Sequence, residues 1–272
     1  SAGRRTLCYN LLGVVMMKVL SVIGISGSGK TSTVETIIQG LKKRRYSVGS
    51  VKDIHFEAFA IDTPGTNTHR HRQAGAELVT ARGLKETDIL YPESLPIEKI
   101  LSFYHQDWVV LEGVREINAP KIVCGHDWEG VDSLLGPDTL AIAGRVANTG
   151  APEYKGIPVL NAQANPHELV EFVEDKVGER LPDFTADCCG LCGMSCRQLL
   201  AAIIAGEKKW EDCLLHQHVT LRIGDRDITM VPFVQEVLAR TLTALISTLE
   251  GYEPGQQVEL VLGRKPKGEA MP

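Results

Sequence analysis

The chain has 272 residues, 43% of them hydrophobic and 23% charged, with a formal net charge of −5. That is enough apolar material for a sizeable core, and the length suits two domains better than one. The acidic balance argues against a general nucleic-acid binder, and no credible export signal or membrane span stands out, so a cytoplasmic location is expected.

Residues 1–16 read as an N-terminal extension. Arg4-Arg5 and the apolar stretch after them faintly resemble a leader, but Asn10 and Lys18 interrupt it, which makes Met16 or Met17 the natural start. Residues 19–23 are then an apolar run that reads as a buried parallel strand, and 33–41 read as a helix. Between them Gly24, Gly29, Lys30 and Thr31 fill the pattern G-x-x-x-x-G-K-[ST]. Glycines let such a loop turn its backbone N–H groups inward at the positive end of a helix, making an anion nest. Ser26, Gly27, Ser28, Gly29, Lys30, Thr31 and Ser32 are therefore the candidate nucleotide-binding residues. Lys30 is placed to reach the β- and γ-phosphates, and Thr31 to ligate Mg²⁺. The pattern points to a nucleoside triphosphate.

Residues 46–51 read as a second strand. After it comes a polar run from Lys52 and His55, through Asp62-Thr-Pro-Gly65, to Arg70-His-Arg72 and Ala76. Such a run is either a solvated loop or the γ-phosphate sensor that many P-loop proteins hold after strand two, and its position favours the sensor. Lys52, His55, Arg70 and Arg72 are candidate phosphate or partner contacts. Lys30 and Asp62 are the candidate catalytic groups.

The apolar strand expected over 107–113 ends in Glu112, the position from which an acid helps hold Mg²⁺. Further strands are expected at 121–124, 139–143 and 157–161, and a helix at 166–177. This alternation predicts an α/β fold with a doubly wound, mostly parallel sheet and its ligand at the strand C-termini, over residues 17–180. Beyond a boundary expected near 178–187, a cysteine segment (181–217) gives way to a hairpin, a long helix and a strand (218–264), and then to a tail (265–272). The hairpin should turn at Gly224-Asp225. The helix should start at Pro232 with an apolar stripe of Val234, Val237, Leu238, Leu242, Leu245 and Leu249.

The seven cysteines are unevenly spread. Cys8 and Cys124 stand alone, whereas Cys188, Cys189, Cys192, Cys196 and Cys213 crowd together. Cys189, Cys192, Cys196 and Cys213 present four thiolates of the kind that satisfy Zn²⁺ or an iron–sulfur cluster. The stretch Cys189-Gly190, Cys192-Gly193, Cys196, Ala201-Ala202-Ile203, Gly206-Glu207 and Cys213 resembles the [4Fe–4S] domain of Rnf-type and corrinoid iron–sulfur proteins. One residue fewer than usual separates its second and third ligands. That resemblance implies a [4Fe–4S] cluster on those four cysteines, with zinc and then plain buried thiols as the alternatives.

The larger part of the chain resembles the MobB family, the GTP-binding adapters of molybdopterin guanine dinucleotide synthesis. Gly24 to Thr31, Lys52 with His55, Asp62-Thr-Pro-Gly65, Arg70-His-Arg72, Ala74-Gly75-Ala76, Glu112-Gly113 and Pro120-Lys121-Ile122 carry the resemblance. Two departures are visible. Val114-Arg115 stands where the family has an aromatic residue and lysine, and Asp53 where histidine is frequent. The resemblance implies a homodimer that binds GTP, hydrolyses it weakly, and serves a guanylyltransferase or a molybdo- or tungsto-enzyme. No Asn-Lys-x-Asp guanine motif is present, so the residues themselves leave GTP and ATP open. Rival readings are a P-loop ATPase or kinase that couples nucleotide turnover to redox chemistry at the cluster, and a metal- or cofactor-insertion chaperone.

Overall fold

The computed structural model describes residues 17–56, 59–184, 192–213, 221–223, 226–228, 230 and 232–249. Strand β1 (Lys18–Gly24) leads through the glycine loop into helix α1 (Lys30–Lys43) and then β2 (Val48–Lys52). The polar run contains a short helix, α2 (Asn67–Gln73), and is followed by a hairpin of β3 (Val79–Arg82) and β4 (Thr87–Leu90). Next come α3 (Ile97–Leu101), β5 (Trp108–Glu112), β6 (Lys121–Gly125), α4 (Trp128–Asp132) and β7 (Thr139–Gly144). A 3₁₀ turn (Arg145–Thr149) and a ribbon of β8 (Glu153–Tyr154) and β9 (Ile157–Pro158) precede α5 (Pro166–Lys176). Beyond these lie α6 (Cys196–Ile204), a 3₁₀ turn (Trp210–Asp212), the antiparallel pair β10 (Leu221–Ile223) and β11 (Arg226–Ile228), and α7 (Pro232–Ile246).

The main sheet runs β2-β5-β1-β6-β7, with every neighbouring pair parallel. Alternate side chains of a strand point to opposite faces, and the core divides accordingly. Leu20, Val22, Val110, Ile122 and Ala141 join Ile37 and Leu41 of α1 and Leu169, Val170 and Val173 of α5 on one face. Val19, Val109 and Leu111 face the other way, onto Leu101, Val114 and Ile117. Ile23, Val123 and Ile142 meet Val131 and Val146 on that second side. Each fully buried aliphatic side chain contributes about 1.5–3 kcal/mol, so the two covered faces hold the sheet as one unit. This is the doubly wound, mostly parallel α/β arrangement expected.

The apolar runs chosen as strands and the α5 helix fall within a residue or two of their expected limits. The segment at 157–161 differs: only Ile157–Pro158 forms a strand, and Val159 bridges Ile142 in parallel as the chain leaves the ribbon. The polar run is not all loop, because Thr66 Oγ1 accepts from His69 N at 3.2 Å and starts α2.

The chain past α5 is stitched to the sheet domain. Arg180 N donates to Met17 O (2.9 Å), and Asn118 Nδ2 to Pro182 O (2.8 Å). Leu181, Leu199, Leu200 and Cys213 form a small core of their own, with Cys192, Met194 and Trp210 against it. Ser195 and Gln198 make a reciprocal capping box that starts α6. In α7, Val234, Val237 and Leu245 are exposed, as is Leu249 just beyond it, while Gln235 is buried and donates to Met230 O. The expected apolar stripe therefore does not face a core among the described residues. The hairpin's expected turn at Gly224-Asp225, the last strand and the tail lie outside the described residues.

Candidate functional site

The strand order brings the C-terminal ends of β1, β2, β5, β6 and β7 to one edge, where the loop between β1 and α1 sits in the middle. Its floor is backbone. Arg145 N donates to Ser28 O at 3.0 Å, and Ser28 Oγ donates to Ile25 O at 2.8 Å from a fully buried position. Gly29 caps α1 in the left-handed region (φ 98°), and a Cβ there would stand 3.0 Å from Gly144 Cα. Under the loop lies Cys124. Burial pushes its thiol up to about 12, and it lies 3.6 Å from Thr33 Oγ1. A thiol held neutral in this way is packing, not a nucleophile.

Lys30 turns back over the loop, donating from Nζ to the carbonyls of Gly24 (2.9 Å) and Ile25 (2.6 Å). Burial lowers its pKa from the usual lysine value, opposed by the Glu112 charge. Ser26 and Gly27 are exposed at the crest of the loop, Ser32 is half-buried in the first turn of α1, and Ser26 O lies 3.0 Å from His126 Nε2.

Glu112 is the centre of a second group. Parallel register places it opposite Val22 of β1 and Lys52 of β2. Its Oε1 accepts from Thr31 Oγ1 (2.8 Å) and from Lys52 Nζ (3.0 Å), and the residue is only 7% exposed. A hydroxyl and a carboxylate oxygen this close, at the foot of a phosphate loop, are the hard oxygen donors Mg²⁺ takes, with water and phosphate completing its shell. The donor set fits that ion. Among the described residues no group of three or more His, Cys, Asp or Glu is gathered as a metal site, and Mg²⁺ beside a phosphate does not need one.

The rest of the polar run stands apart. Asp62 Oδ1 accepts from Thr66 Oγ1 (2.6 Å) and Thr68 Oγ1 (2.9 Å), and Arg72 lies 3.7 Å from Oδ2. The Thr66 hydroxyl, more than Thr68 or Arg72, holds its pKa below the usual aspartate value. Asp62 thus anchors the start of α2. His55 pairs with Asp53 (3.5 Å) when protonated, and Arg70 is exposed. No hydrogen bond or ion pair among the described residues joins Asp62, His55, Arg70 or Arg72 to the group at Lys30, Thr31 and Glu112. Lys52 does join it.

A cavity of about 400 Å³ adjoins the phosphate loop and the first turn of α1, closed on its far side by Arg145, Asn148, Asn161 and Gln163. None of these four, nor His126, was singled out by sequence reasoning. Asn148 and Asn161 lie in separate segments that only the β7–β9 topology brings together. Of the four expected cluster ligands, Cys192, Cys196 and Cys213 belong to the α6 region but are not gathered as a metal group, and Cys189 lies outside the described residues. The described thiols alone therefore do not fit a cluster.

Residues 19–144 match the family Molybdopterin guanine dinucleotide synthesis protein B, MobB. A putative molybdopterin-guanine dinucleotide biosynthesis adapter protein of Methanocaldococcus jannaschii is 27% identical over 251 residues, covering 90% of this chain and 97% of its own. A probable adapter protein of the same name from Bacillus subtilis is 24% identical over 148 residues, 53% of this chain and 85% of its own. The crystal structure of Bacillus subtilis MobB shares the fold, with a TM-score of 0.50 at 22% identity, covering 60% of this chain and all of that one. The archaeal match runs far past residue 144, so the segment after the sheet has a counterpart in that relative. The phosphate loop, α1, Lys52 and Glu112 all fall within residues 19–144, the stretch that is similar to MobB.

Proposed function

We propose that this protein is a GTP-binding adapter that supports guanine-dinucleotide maturation of the molybdenum or tungsten pterin cofactor, acting as a homodimer with the guanylyltransferase of that synthesis or a molybdo- or tungsto-enzyme. The observation that carries the reading is the meeting of Thr31, Lys52 and Glu112 at the foot of a phosphate loop, within the stretch that is similar to MobB. The loop amides and the positive end of α1 hold the phosphates, and Lys30, whose ammonium already sits on the loop, supplies their counter-charge. Thr31 and Glu112 hold Mg²⁺, whose chemistry when bound is to neutralise charge on the phosphate oxygens. Lys52, Glu112's second partner, offers a positive charge beside the terminal phosphate.

Hydrolysis in this reading is weak. Among the described residues Asp62 is engaged by Thr66, Thr68 and Arg72, and it does not stand free as a base beside the loop. The attached segment is read as an iron–sulfur site on Cys189, Cys192, Cys196 and Cys213, a reading supported by their spacing in the sequence. No step of the nucleotide chemistry runs through it.

Lys30→Ala tests the nucleotide site. Binding of Mg²⁺–GTP, measured by calorimetric titration, is expected to fall at least about a hundredfold, in line with the loss of a charge-assisted contact. Wild-type affinity in that variant would remove the assignment.

A further inference from the structure

Resting on the nucleotide-binding reading, we infer that the cavity beyond the phosphate loop receives the nucleobase, and that Asn148 selects a purine with a carbonyl oxygen at position 6. The cavity shares a wall with the loop and with the first turn of α1, so a nucleotide whose phosphates lie on the loop can extend into it. Its volume, about 400 Å³, is in the range of small-ligand sites.

The far wall is held rigidly from several sides. The 3₁₀ turn that carries Asn148 begins with Arg145 N on Ser28 O (3.0 Å) and closes with Thr149 Oγ1 on Val146 O (2.7 Å). The opposing segment is tied to α1 where Thr36 Oγ1 donates to Ala162 O (3.4 Å). Asn161 spends its whole amide on bracing the wall. Its Oδ1 accepts from Gln163 N (3.0 Å) and Ala164 N (2.9 Å), while its Nδ2 donates to Ala147 O (3.3 Å) and to Asn148 Oδ1 (3.0 Å).

That last bond sets the polarity of the site. With its oxygen engaged by Asn161, Asn148 offers the cavity its Nδ2, a donor that has no partner among the described residues. Guanine presents acceptors at O6 and N7, whereas adenine presents N7 beside an N6 amino donor. A fixed donor amide is satisfied by O6 and opposed by the N6 amino group. A site that hydrogen-bonds one substrate group rejects an analogue with the wrong group far more strongly than an apolar pocket can. Selection of guanine therefore needs no Asn-Lys-x-Asp motif here, because the Asn161–Asn148 pair does that work.

The test uses the full chain with Mg²⁺ and four probes, GTP, ITP, ATP and inorganic tripolyphosphate, titrated against wild type, Asn148→Asp and Asn148→Ala. Wild type is expected to bind GTP and ITP alike, because both carry O6, and ATP more weakly by at least about tenfold. In Asn148→Asp, which offers only acceptors, GTP and ITP should weaken at least about tenfold while ATP holds or improves. Asn148→Ala should lose the discrimination without favouring ATP. Tripolyphosphate binding should be unchanged in both, which also shows that each variant keeps a folded loop. An unaltered GTP-to-ATP ratio in the variants, or equal affinities in wild type, overturns the inference while leaving the phosphate site standing. Failure of wild type to bind tripolyphosphate and every nucleotide would instead remove the nucleotide reading on which the inference rests.

Discussion

Glu112 serves two partners with one oxygen, and the pair is unequal. Thr31 reaches it from within the loop, whereas Lys52 arrives from β2 with a side chain still 57% exposed. A carboxylate buried at the end of β5 needs compensation for the water it has lost, and the lysine and the hydroxyl provide it. Glu112→Gln keeps the shape and the acceptor for Thr31 but removes the charge. We expect that variant to retain GTP binding in EDTA while losing most of the enhancement Mg²⁺ gives, about tenfold or more in affinity. Titrations with and without the metal read this directly, and an undiminished Mg²⁺ effect would remove Glu112 from the site. Asp62 shows the opposite use of a carboxylate. Its pKa is depressed when folded, so the order it lends to the start of α2 is present above the ordinary aspartate range and is lost as pH falls through its lowered value.

At the scale of elements, the loop–helix unit depends on its neighbours' backbones. Gly144 ends β7 at φ 82°, and a Cβ there would lie 2.2 Å from Ser28 O. Gly144→Ala must therefore either lift the phosphate loop or distort β7. Both the left-handed strain and the collision cost energy, about 1–3 kcal/mol in each case. Chemical denaturation should show a loss of stability of about 2–6 kcal/mol, the two costs together, along with weaker GTP binding, and a stable variant with full affinity would contradict the packing described. This dependence explains much of what the sequence could and could not disclose. The strands β1, β5, β6 and β7 are legible because burial on both faces writes continuous apolar runs. Helix α2 is not, because Asn67 to Gln73 carries no apolar face and has no buried residue; its one cue was Thr66 as a cap. Asp127, which accepts from Gly130 N at 2.7 Å to start α4, and Ser195 with Gln198 at α6 were readable caps of the same kind. The cavity wall had no such cue. Asn148 and Asn161 become partners only when β9 is laid beside β7, a fact of topology and not of spacing.

At the scale of the whole molecule, the segment after α5 is held by specific contacts. Trp210 Nε1 donates to Lys176 O (3.2 Å), and the indole lies so close to Gly178 that a Cβ there would be 2.4 Å from the ring. Arg197 reaches Asp183 (2.7 Å) and the carbonyl of Glu116 (2.6 Å). The α6 core is thus fastened to the sheet domain, whatever its cysteines bind. Anaerobic purification followed by iron, sulfide and zinc analysis decides their chemistry. Four irons and four sulfides per chain are the expected result for a [4Fe–4S] cluster, and zinc without sulfide would replace the cluster with a structural metal.

The main-chain floor of the phosphate loop has a last consequence, one for folding. Ser28 rests on Arg145 and Gly24 on Cys124, contacts between segments far apart in the chain, so the anion cradle cannot exist in a locally ordered fragment. Long-range parallel pairing of this kind forms late, because much chain entropy is surrendered before any contact repays it. Occupancy of the cradle is then linked to the integrity of the entire sheet. A ligand at a hundred times its dissociation constant would add about 2.7 kcal/mol to the stability of that sheet as a unit, rather than tightening the loop alone.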